Sequence, residues 1–150
     1  MRNWPRWLWA IHRHRATLSA APNFAYELCV SKIPDEEIAG LELSAWRMAL
    51  NGAEPVSSES LRSFIGRISP NGFQAGAMSP VYGLAENSLA VAFPPLGRPP
   101  LIDAVQRDSF QRTGRAVPAA SSATRLPSGR QSRTASALVA SSEPSGDGDV

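Results

Sequence analysis

The chain has 150 residues, enough for about one domain, and its formal net charge is only +2. A charge this small argues against nucleic acid as a partner. The single cysteine, Cys29, excludes an intramolecular disulfide and any metal site built from cysteine pairs. The lone cysteine fits a reduced, cytoplasmic setting, which we expect for this protein. No apolar run approaches the ~20 residues that span a bilayer, so we expect no transmembrane segment.

The composition changes sharply near residue 110. All eleven aromatic residues lie between Trp4 and Phe110, and Ser, Ala, Gly, Pro and Arg dominate from Gln111 onward. A segment with so little apolar surface cannot offset the entropy that is lost on ordering. We therefore predict a folded unit over residues 1–110 and a disordered tail over residues 111–150.

Three tryptophans lie within residues 4–9, close to a short stretch of small apolar residues at Ala16–Ala21. We assign the tryptophans to packing in the protein core and against a neighbouring domain. A membrane-surface segment is the alternative, because tryptophan also favours the lipid interface.

The segment over residues 23–30 has the features of a helix. Asn23 follows a proline and suits the N-cap position, because its side-chain oxygen can accept a hydrogen bond from a backbone N–H of the first turn. Phe24, Leu28 and Cys29 would then lie near one face of this helix.

A short helix is predicted next, over Ile33–Gly40, with acidic residues in its first turn. Trp46–Leu50 has the alternation of a strand that runs into the polar loop Asn51–Pro55. A second short strand is predicted around Met78–Tyr82, and it runs into the polar loop Gly83–Asn87.

The best-defined helix lies between these two strands. Leu61, Phe64, Ile65 and Ile68 are spaced as one stripe of an amphipathic helix, and Ser57 can cap its start. A strand, a loop, a helix and another strand in this order predict an α/β fold. Because ligands bind beyond the carboxyl ends of the strands in such sheets, we expect the two polar loops to form one site.

Three segments resemble motifs of the adenylate-forming superfamily, which contains acyl-CoA synthetases, fatty acyl-AMP ligases, luciferase-like enzymes and the adenylation domains of peptide synthetases. Asn51–Val56 resembles the loop on the adenine side of the nucleotide site. Tyr82–Glu86 is similar to the aromatic-Gly-x-Thr-Glu motif, with Ala85 at the threonine position. Ser19–Cys29 resembles the segment that borders the acyl tunnel of fatty acyl-AMP ligases. The resemblance covers about residues 5–120 in order.

This resemblance implies a fragment of the layered α/β N-terminal domain of an adenylate-forming enzyme. In the implied reaction, a fatty-acid carboxylate attacks the α-phosphorus of ATP and gives acyl-AMP and pyrophosphate. ATP and Mg²⁺ would be needed, and CoA or an acyl carrier protein would accept the acyl group. Catalysis would depend on positioning and charge neutralisation, and we assign no catalytic residue.

The resemblance also implies roles for individual residues. Glu86 would hold Mg²⁺, a hard cation that prefers oxygen ligands. The ring of Tyr82 would stack on adenine, and Gly52 and Gly83 would allow close approach because they lack Cβ. The acyl-binding residues would be Asn23, Phe24 and Tyr26. The nucleotide-binding residues would be Asn51, Gly52, Ala53, Glu54, Tyr82, Gly83, Leu84 and Ala85.

Several parts of such an enzyme have no counterpart in the sequence. No glycine-rich loop is followed by a lysine, and Lys32, the single lysine, matches no lysine of the family. Ser145–Asp147 only superficially matches the ribose-binding Thr-Gly-Asp motif, because it lies too close to Glu86 and lacks the flanking strand. We therefore expect the chain to be inactive alone, and a frameshift or gene-model error is our hypothesis for the change after about Ala120.

Two alternative functions stay open. The first is a non-catalytic remnant, or an interaction protein built on the same scaffold. The second is a basic surface-binding module, because the chain carries fourteen arginines, many of them in the N-terminal segment and the tail. Pyrophosphate exchange with fatty acids would separate a ligase from the first alternative, and salt-sensitive binding to liposomes or DNA would support the second.

Overall fold

A computed structural model describes residues 5–83, 91–119 and 139–141 of the chain. In chain order, the helices and strands are α1 (Arg6–His14), β1 (Leu18–Pro22), α2 (Asn23–Lys32), α3 (Asp35–Ile38), β2 (Met48–Gly52), α4 (Ser58–Ile68), β3 (Met78–Pro80), β4 (Ile102–Ala104), α5 (Arg107–Thr113) and β5 (Val139–Ser141). Two short 3₁₀ turns, Ser69–Asn71 and Ala75–Ala77, connect α4 to β3. None of the helices in these ranges is long and apolar enough to cross a membrane.

The central element is a parallel three-stranded sheet in the order β1-β2-β3. Parallel strands need a crossover between them, and α2 with α3 provides the first crossover while α4 provides the second. Ala49, in the middle of β2, is fully buried, and α2 packs against α4. The predicted α/β fold class, with helices alternating with a parallel sheet, is confirmed.

The core of this unit is a cluster of aromatic rings in edge-to-face contact. The ring of Phe64 lies 5.0 Å from that of Tyr26 and 5.4 Å from that of Phe73. Trp7, from α1, contacts both Tyr26 and Trp46 at 5.3 Å and 5.4 Å. Such pairs add about 0.5–1.5 kcal/mol each beyond the area that they bury. The prediction that an N-terminal tryptophan packs into the core is therefore confirmed for Trp7.

The amphipathic helix predicted from its apolar stripe is α4. Leu61, Phe64 and Ile68 are buried, and the Ser57 side chain accepts a hydrogen bond from the backbone N–H of Ser60 at 3.3 Å. This is the predicted N-cap contact, because it satisfies one of the first-turn N–H groups that a helix leaves without a partner.

The prediction for the start of α2 needs correction. Pro22 occupies the N-cap position, and Asn23 is the first helical residue with a buried side chain. The buried face is formed by Asn23, Tyr26 and Cys29, whereas Phe24 is 52% exposed. Adjacent residues of an α-helix point about 100° apart, so burial of Asn23 turns Phe24 toward solvent. Hydrogen bonds made by Asn23 offset the cost of burying its amide.

The boundaries of two other predicted elements differ from the observed ones by a few residues, which is the usual precision of boundaries predicted from sequence. The strand predicted over Trp46–Leu50 begins at Met48, and it continues to Gly52 because Asn51 and Gly52 still pair with the last two residues of β1. The helix predicted over Ile33–Gly40 is limited to α3, and Gly40 follows it with a φ of 80°.

Part of the predicted tail is also described. Helix α5 continues past residue 110 to Thr113, and β4 pairs in parallel with β5. Residues 120–138 and 142–150 lie outside the described part of the chain, as does the Ser145–Asp147 match. The boundary at residue 110 and the frameshift stay predictions.

Candidate functional site

Three parallel strands bring their carboxyl ends to the same edge of the sheet. In the register, Pro22 at the end of β1 lies opposite Gly52 at the end of β2, and Asn51 lies opposite Pro80 at the end of β3. The chain continues from these ends into all three segments singled out in the sequence. This edge is the place where open α/β sheets bind ligands.

The chain segments that lead into the two polar loops lie side by side, because β2 and β3 are direct neighbours. The backbone N–H of Val81 donates to the Asn51 carbonyl at 2.8 Å, which extends the pairing beyond β3. A Cβ at Gly52 would lie 2.9 Å from both the Cγ2 and the carbonyl oxygen of Val81. Glycine is therefore required at position 52 for the two loop segments to approach this closely.

The loop after β2 leaves the sheet through an unusual backbone conformation. Ala53 has a φ of 66°, in the left-handed region that side chains with a Cβ disfavour. This conformation directs Glu54 toward the start of α2, where its Oε1 accepts a hydrogen bond of 2.7 Å from the backbone N–H of Phe24. A carboxylate is well placed there, because the N-terminus of a helix carries unsatisfied N–H groups and partial positive charge.

The loop after β3 presents an aromatic ring to solvent. Tyr82 is 58% exposed, while its backbone pairs with Ala92 through two hydrogen bonds of 3.2 Å and 3.0 Å. The backbone of Tyr82 is thus fixed by pairing, while more than half of the residue is open to solvent. Gly83 follows and is exposed. The other predicted residues of this loop, Leu84, Ala85 and Glu86, lie outside the described residues.

The residues predicted to border an acyl chain differ strongly in exposure. Tyr26 is fully buried, and its hydroxyl donates to the Leu50 carbonyl at 2.8 Å. Burial, with a smaller contribution from Cys29, raises the pKa of the Tyr26 phenol above its usual range. Asn23 is also buried, so Phe24 alone of the three exposes most of its side chain.

A buried polar cluster joins the start of α2 to the loop after β2, and we had not predicted it. The Asn23 Oδ1 accepts hydrogen bonds from the Asn51 Nδ2 at 3.2 Å and the Ser57 backbone N–H at 3.3 Å. Its Nδ2 donates to the Glu27 Oε1 at 2.8 Å, and the Ser60 hydroxyl donates to the same oxygen at 2.5 Å. The spacing of Asn23 and Glu27 at i and i+4 was a local signal for one of these contacts.

A surface cavity of about 390 Å³ lies between α1, β1 and α2 and is lined by small residues, including Ala21, Ala25 and Cys29. None of the three residues predicted to bind the acyl chain lines this cavity. Burial raises the pKa of the Cys29 thiol to about 12, against a smaller lowering effect of Arg67. The thiol is therefore protonated near neutrality and unsuited to nucleophilic chemistry.

Among the residues that the structure describes, no group of three or more His, Cys, Asp and Glu side chains is arranged to hold a metal ion. Glu54, the acidic residue of the described loop segments, directs one carboxylate oxygen to the helix α2. Glu86, the predicted Mg²⁺ ligand, is outside the described ranges, so its role stays a prediction.

No established family profile matches the chain. It is 51% identical over 87 residues to the medium-chain-fatty-acid–[acyl-carrier-protein] ligase JamA of Moorena producens. The matched region covers 58% of this chain and 15% of JamA. A structure from a study of fatty acyl-adenylate ligases from E. coli and L. pneumophila aligns with a TM-score of 0.74 and 39% identity, over 83% of this chain and 22% of that one.

A fatty acyl-adenylate ligase from L. pneumophila, solved in complex with acyl adenylate and pyrophosphate, aligns with a TM-score of 0.68 and 38% identity, over 79% of this chain and 21% of that one. The chain thus spans between 15% and 22% of the length of these proteins.

The sequence and the fold together place this chain in the adenylate-forming superfamily. Within that superfamily its similarity is to the fatty acyl-AMP ligases, and it corresponds to a segment of their large N-terminal domain. The predicted resemblance is confirmed.

Proposed function

We propose that this chain forms part of the substrate site of an ATP-dependent ligase that activates fatty acids as acyl-AMP. The observation that carries the proposal is the convergence of three segments at one sheet edge. The strand ends at this edge are in register, with Pro22 opposite Gly52 and Asn51 opposite Pro80. Relatives that carry the same segments are named as fatty acyl-adenylate ligases, and one of them was solved with acyl adenylate and pyrophosphate.

In this proposal the adenine of ATP stacks on the exposed ring of Tyr82. The backbone of Gly52 and Ala53 approaches the purine edge, because no side chain projects from position 52 and the side chain of Ala53 is small. Leu84 and Ala85 continue the same loop, and Glu86 supplies the oxygen ligand for Mg²⁺. Bound Mg²⁺ would neutralise charge on the phosphates.

The fatty acid approaches the same edge from the side of α2, where Phe24 is exposed. Asn23 and Tyr26 lie beneath it and support the position of this helix. The acceptor of the acyl group is an acyl carrier protein, as in the name of JamA. CoA is the alternative acceptor, and acyl transfer to each of the two would distinguish them.

We further propose that the chain alone does not complete the reaction. Its single lysine, Lys32, is the last residue of α2. At a rise of about 1.5 Å per residue, Lys32 lies roughly 13 Å along the axis from the helix start that faces the loops. A lysine that contacts the triphosphate beside Mg²⁺ would therefore have to come from outside this chain.

AMP binding tests the nucleotide part of the proposal. Titration of the 150-residue chain with AMP should give saturable binding, and Tyr82→Leu should weaken it about ten-fold, because stacking on an aromatic ring contributes about 1–3 kcal/mol per base. Phe110→Leu is the matched control, since Phe110 is an exposed aromatic residue on α5. Absence of AMP binding by the wild-type chain would refute the proposal.

Pyrophosphate exchange tests the reaction itself. The chain should show no exchange of radiolabelled pyrophosphate into ATP with medium-chain or long-chain fatty acids. Measurable exchange would contradict the proposed dependence on a group outside the chain, and it would establish a complete site. Exchange that appears only when the remainder of a homologous ligase is added would support the proposal directly.

A further inference from the structure

The loop after β2 supplies the missing cap of α2. Pro22, the N-cap residue of this helix, makes no side-chain hydrogen bond to its first turn. The backbone N–H of Phe24 instead donates to the Glu54 Oε1 at 2.7 Å, across 30 positions of sequence. A first-turn N–H has no partner within its own helix, so this carboxylate satisfies a group that the local sequence leaves unsatisfied.

A second contact runs in the opposite direction, from α2 to the loop. The Asn23 Oδ1 accepts hydrogen bonds from the side chain of Asn51 and from the backbone N–H of Ser57. The orientation of the Asn23 amide is fixed by Glu27, because a carboxylate only accepts and must face the Nδ2. Residues 51–57 are therefore held to α2 at their beginning, at Glu54 and at their end.

The burial of this cluster makes its contacts costly to break. Asn23 is 5% exposed and Asn51 is fully buried. Within the described part of the chain, the Asn51 Oδ1 has no hydrogen-bond partner. The bond from the Asn51 Nδ2 to Asn23 is therefore the one side-chain hydrogen bond that Asn51 makes among these residues. Removing Asn23 would leave the whole buried amide of Asn51 without a partner, which costs more than the loss of an exposed hydrogen bond.

We propose that Asn23 and Glu54 are positioning residues that join α2 and the loop 51–57 into one rigid unit, so that the acyl side and the nucleotide side of the site move together. In this proposal Glu54, which the family resemblance assigned to the nucleotide-binding residues, acts through the helix instead of contacting the nucleotide. The rigid unit follows from the contacts alone, whereas its relevance to nucleotide and acyl binding rests on the function proposed above.

Residue-resolved amide hydrogen exchange on the full 150-residue chain, without nucleotide, tests the rigid unit. In Glu54→Ala, the Phe24 amide should exchange about ten-fold faster, since its acceptor is gone. Glu54→Gln keeps an acceptor oxygen and should restore most of the protection. Glu59→Ala is the matched control, because Glu59 is an exposed acid in the first turn of α4.

Asn23→Ala tests the contact from the helix to the loop. The Ser57 amide should exchange about ten-fold faster, while amides in the middle of β2 keep their protection. If this variant does not fold, Glu54→Ala decides the question, because Glu54 is exposed and no core contact is removed. Unchanged exchange at Phe24 in Glu54→Ala would overturn the proposal.

AMP titration separates positioning from direct binding. Glu54→Ala should weaken AMP binding about five-fold, and Glu54→Gln should recover it in parallel with the exchange protection. Weaker binding without a change in exchange would show that Glu54 contacts the nucleotide itself, which would also overturn the proposal. If the wild-type chain binds no AMP, the proposed function fails while the exchange experiment still decides whether the rigid unit exists.

Discussion

The hydroxyl of Tyr26 donates a hydrogen bond of 2.8 Å to the carbonyl of Leu50, and this contact fixes α2 on the central strand just before the loop that follows it. The phenol is otherwise surrounded by Trp7 and Phe64. Tyr26 is therefore both a core ring and a polar contact to the backbone of β2, so its side chain is buried without an unsatisfied hydroxyl.

Tyr26→Phe should lower the free energy of unfolding by about 1 kcal/mol, because it removes one buried hydrogen bond and keeps the ring. Urea denaturation followed by tryptophan fluorescence would measure the change. Tyr82→Phe, at an exposed ring, should stay within about 0.5 kcal/mol of the wild type. Equal effects of the two substitutions would show that the Leu50 contact contributes nothing.

Ala53→Gly should raise the free energy of unfolding by about 0.5–1 kcal/mol. The φ of 66° at Ala53 is strained for a residue with a Cβ, and this relief exceeds the entropy that glycine adds to the unfolded chain. Ala39→Gly is the control, since Ala39 has a φ of −60° and glycine should lower stability there. A loss of stability in Ala53→Gly would show that position 53 is not strained.

Cys29 makes the free energy of unfolding decrease at alkaline pH. Its pKa is about 12 in the folded chain, whereas an ordinary thiol titrates near about 8.5. The unfolded chain therefore releases this proton first, so the contribution of Cys29 is complete below about pH 8.5 and is lost as the pH rises toward 12, by at most about 1.4 kcal/mol per pH unit.

Denaturation midpoints at a series of pH values between about 7.5 and 9.5 would measure this loss. Cys29→Ala should flatten the dependence over that range. In the native wild type, the thiol should also resist iodoacetamide at about pH 8.5, and it should react once urea unfolds the chain. Rapid alkylation of the native chain would contradict the buried position of Cys29.

Two phenylalanines with opposite exposure separate folding from binding. Phe64→Ala should cost about 3–5 kcal/mol, because the ring is fully buried among Tyr26, Trp46 and Phe73. Phe24→Ala should change stability by less than about 1 kcal/mol, because most of its side chain is exposed. If Phe24 borders the acyl chain as proposed, its substitution should weaken fatty-acid binding at unchanged unfolding free energy, as measured by calorimetry.

The features that sequence predicted well depend on local chemistry. The apolar stripe of α4 and its Ser57 cap depend on residues that are close together in the sequence. The helical period of the apolar residues and the capping propensity of serine were therefore sufficient to predict this helix. We predicted that the two polar loops start at the same sheet edge, because ligand-binding loops of parallel sheets follow the carboxyl ends of the strands. The pairing of Asn51 with Pro80 agrees with this prediction for the strand ends.

The features that sequence missed depend on partners distant along the chain. Asn23 has the propensity of a cap residue, and its buried amide is satisfied by Glu27, four positions away, and by Asn51 and Ser57, some 30 positions away. The cap that Glu54 supplies to α2 likewise crosses from one element to another. No local pattern encodes such contacts, because the fold alone brings the two segments together.

The parallel order of the sheet also bears on how the site arises during synthesis. Leu18 pairs with Met48, and Ala49 pairs with Met78. A strand of this sheet can therefore pair only after about thirty further residues have been synthesised. Such non-local pairing is slow compared with helix formation. The contacts of Val81 with Asn51 and Gly52 complete the carboxyl edge of the sheet. A nascent chain that ends before residue 81 would therefore carry all of α4 and still lack a complete carboxyl edge of the sheet, and ribosome-stalled chains of increasing length would reveal this order.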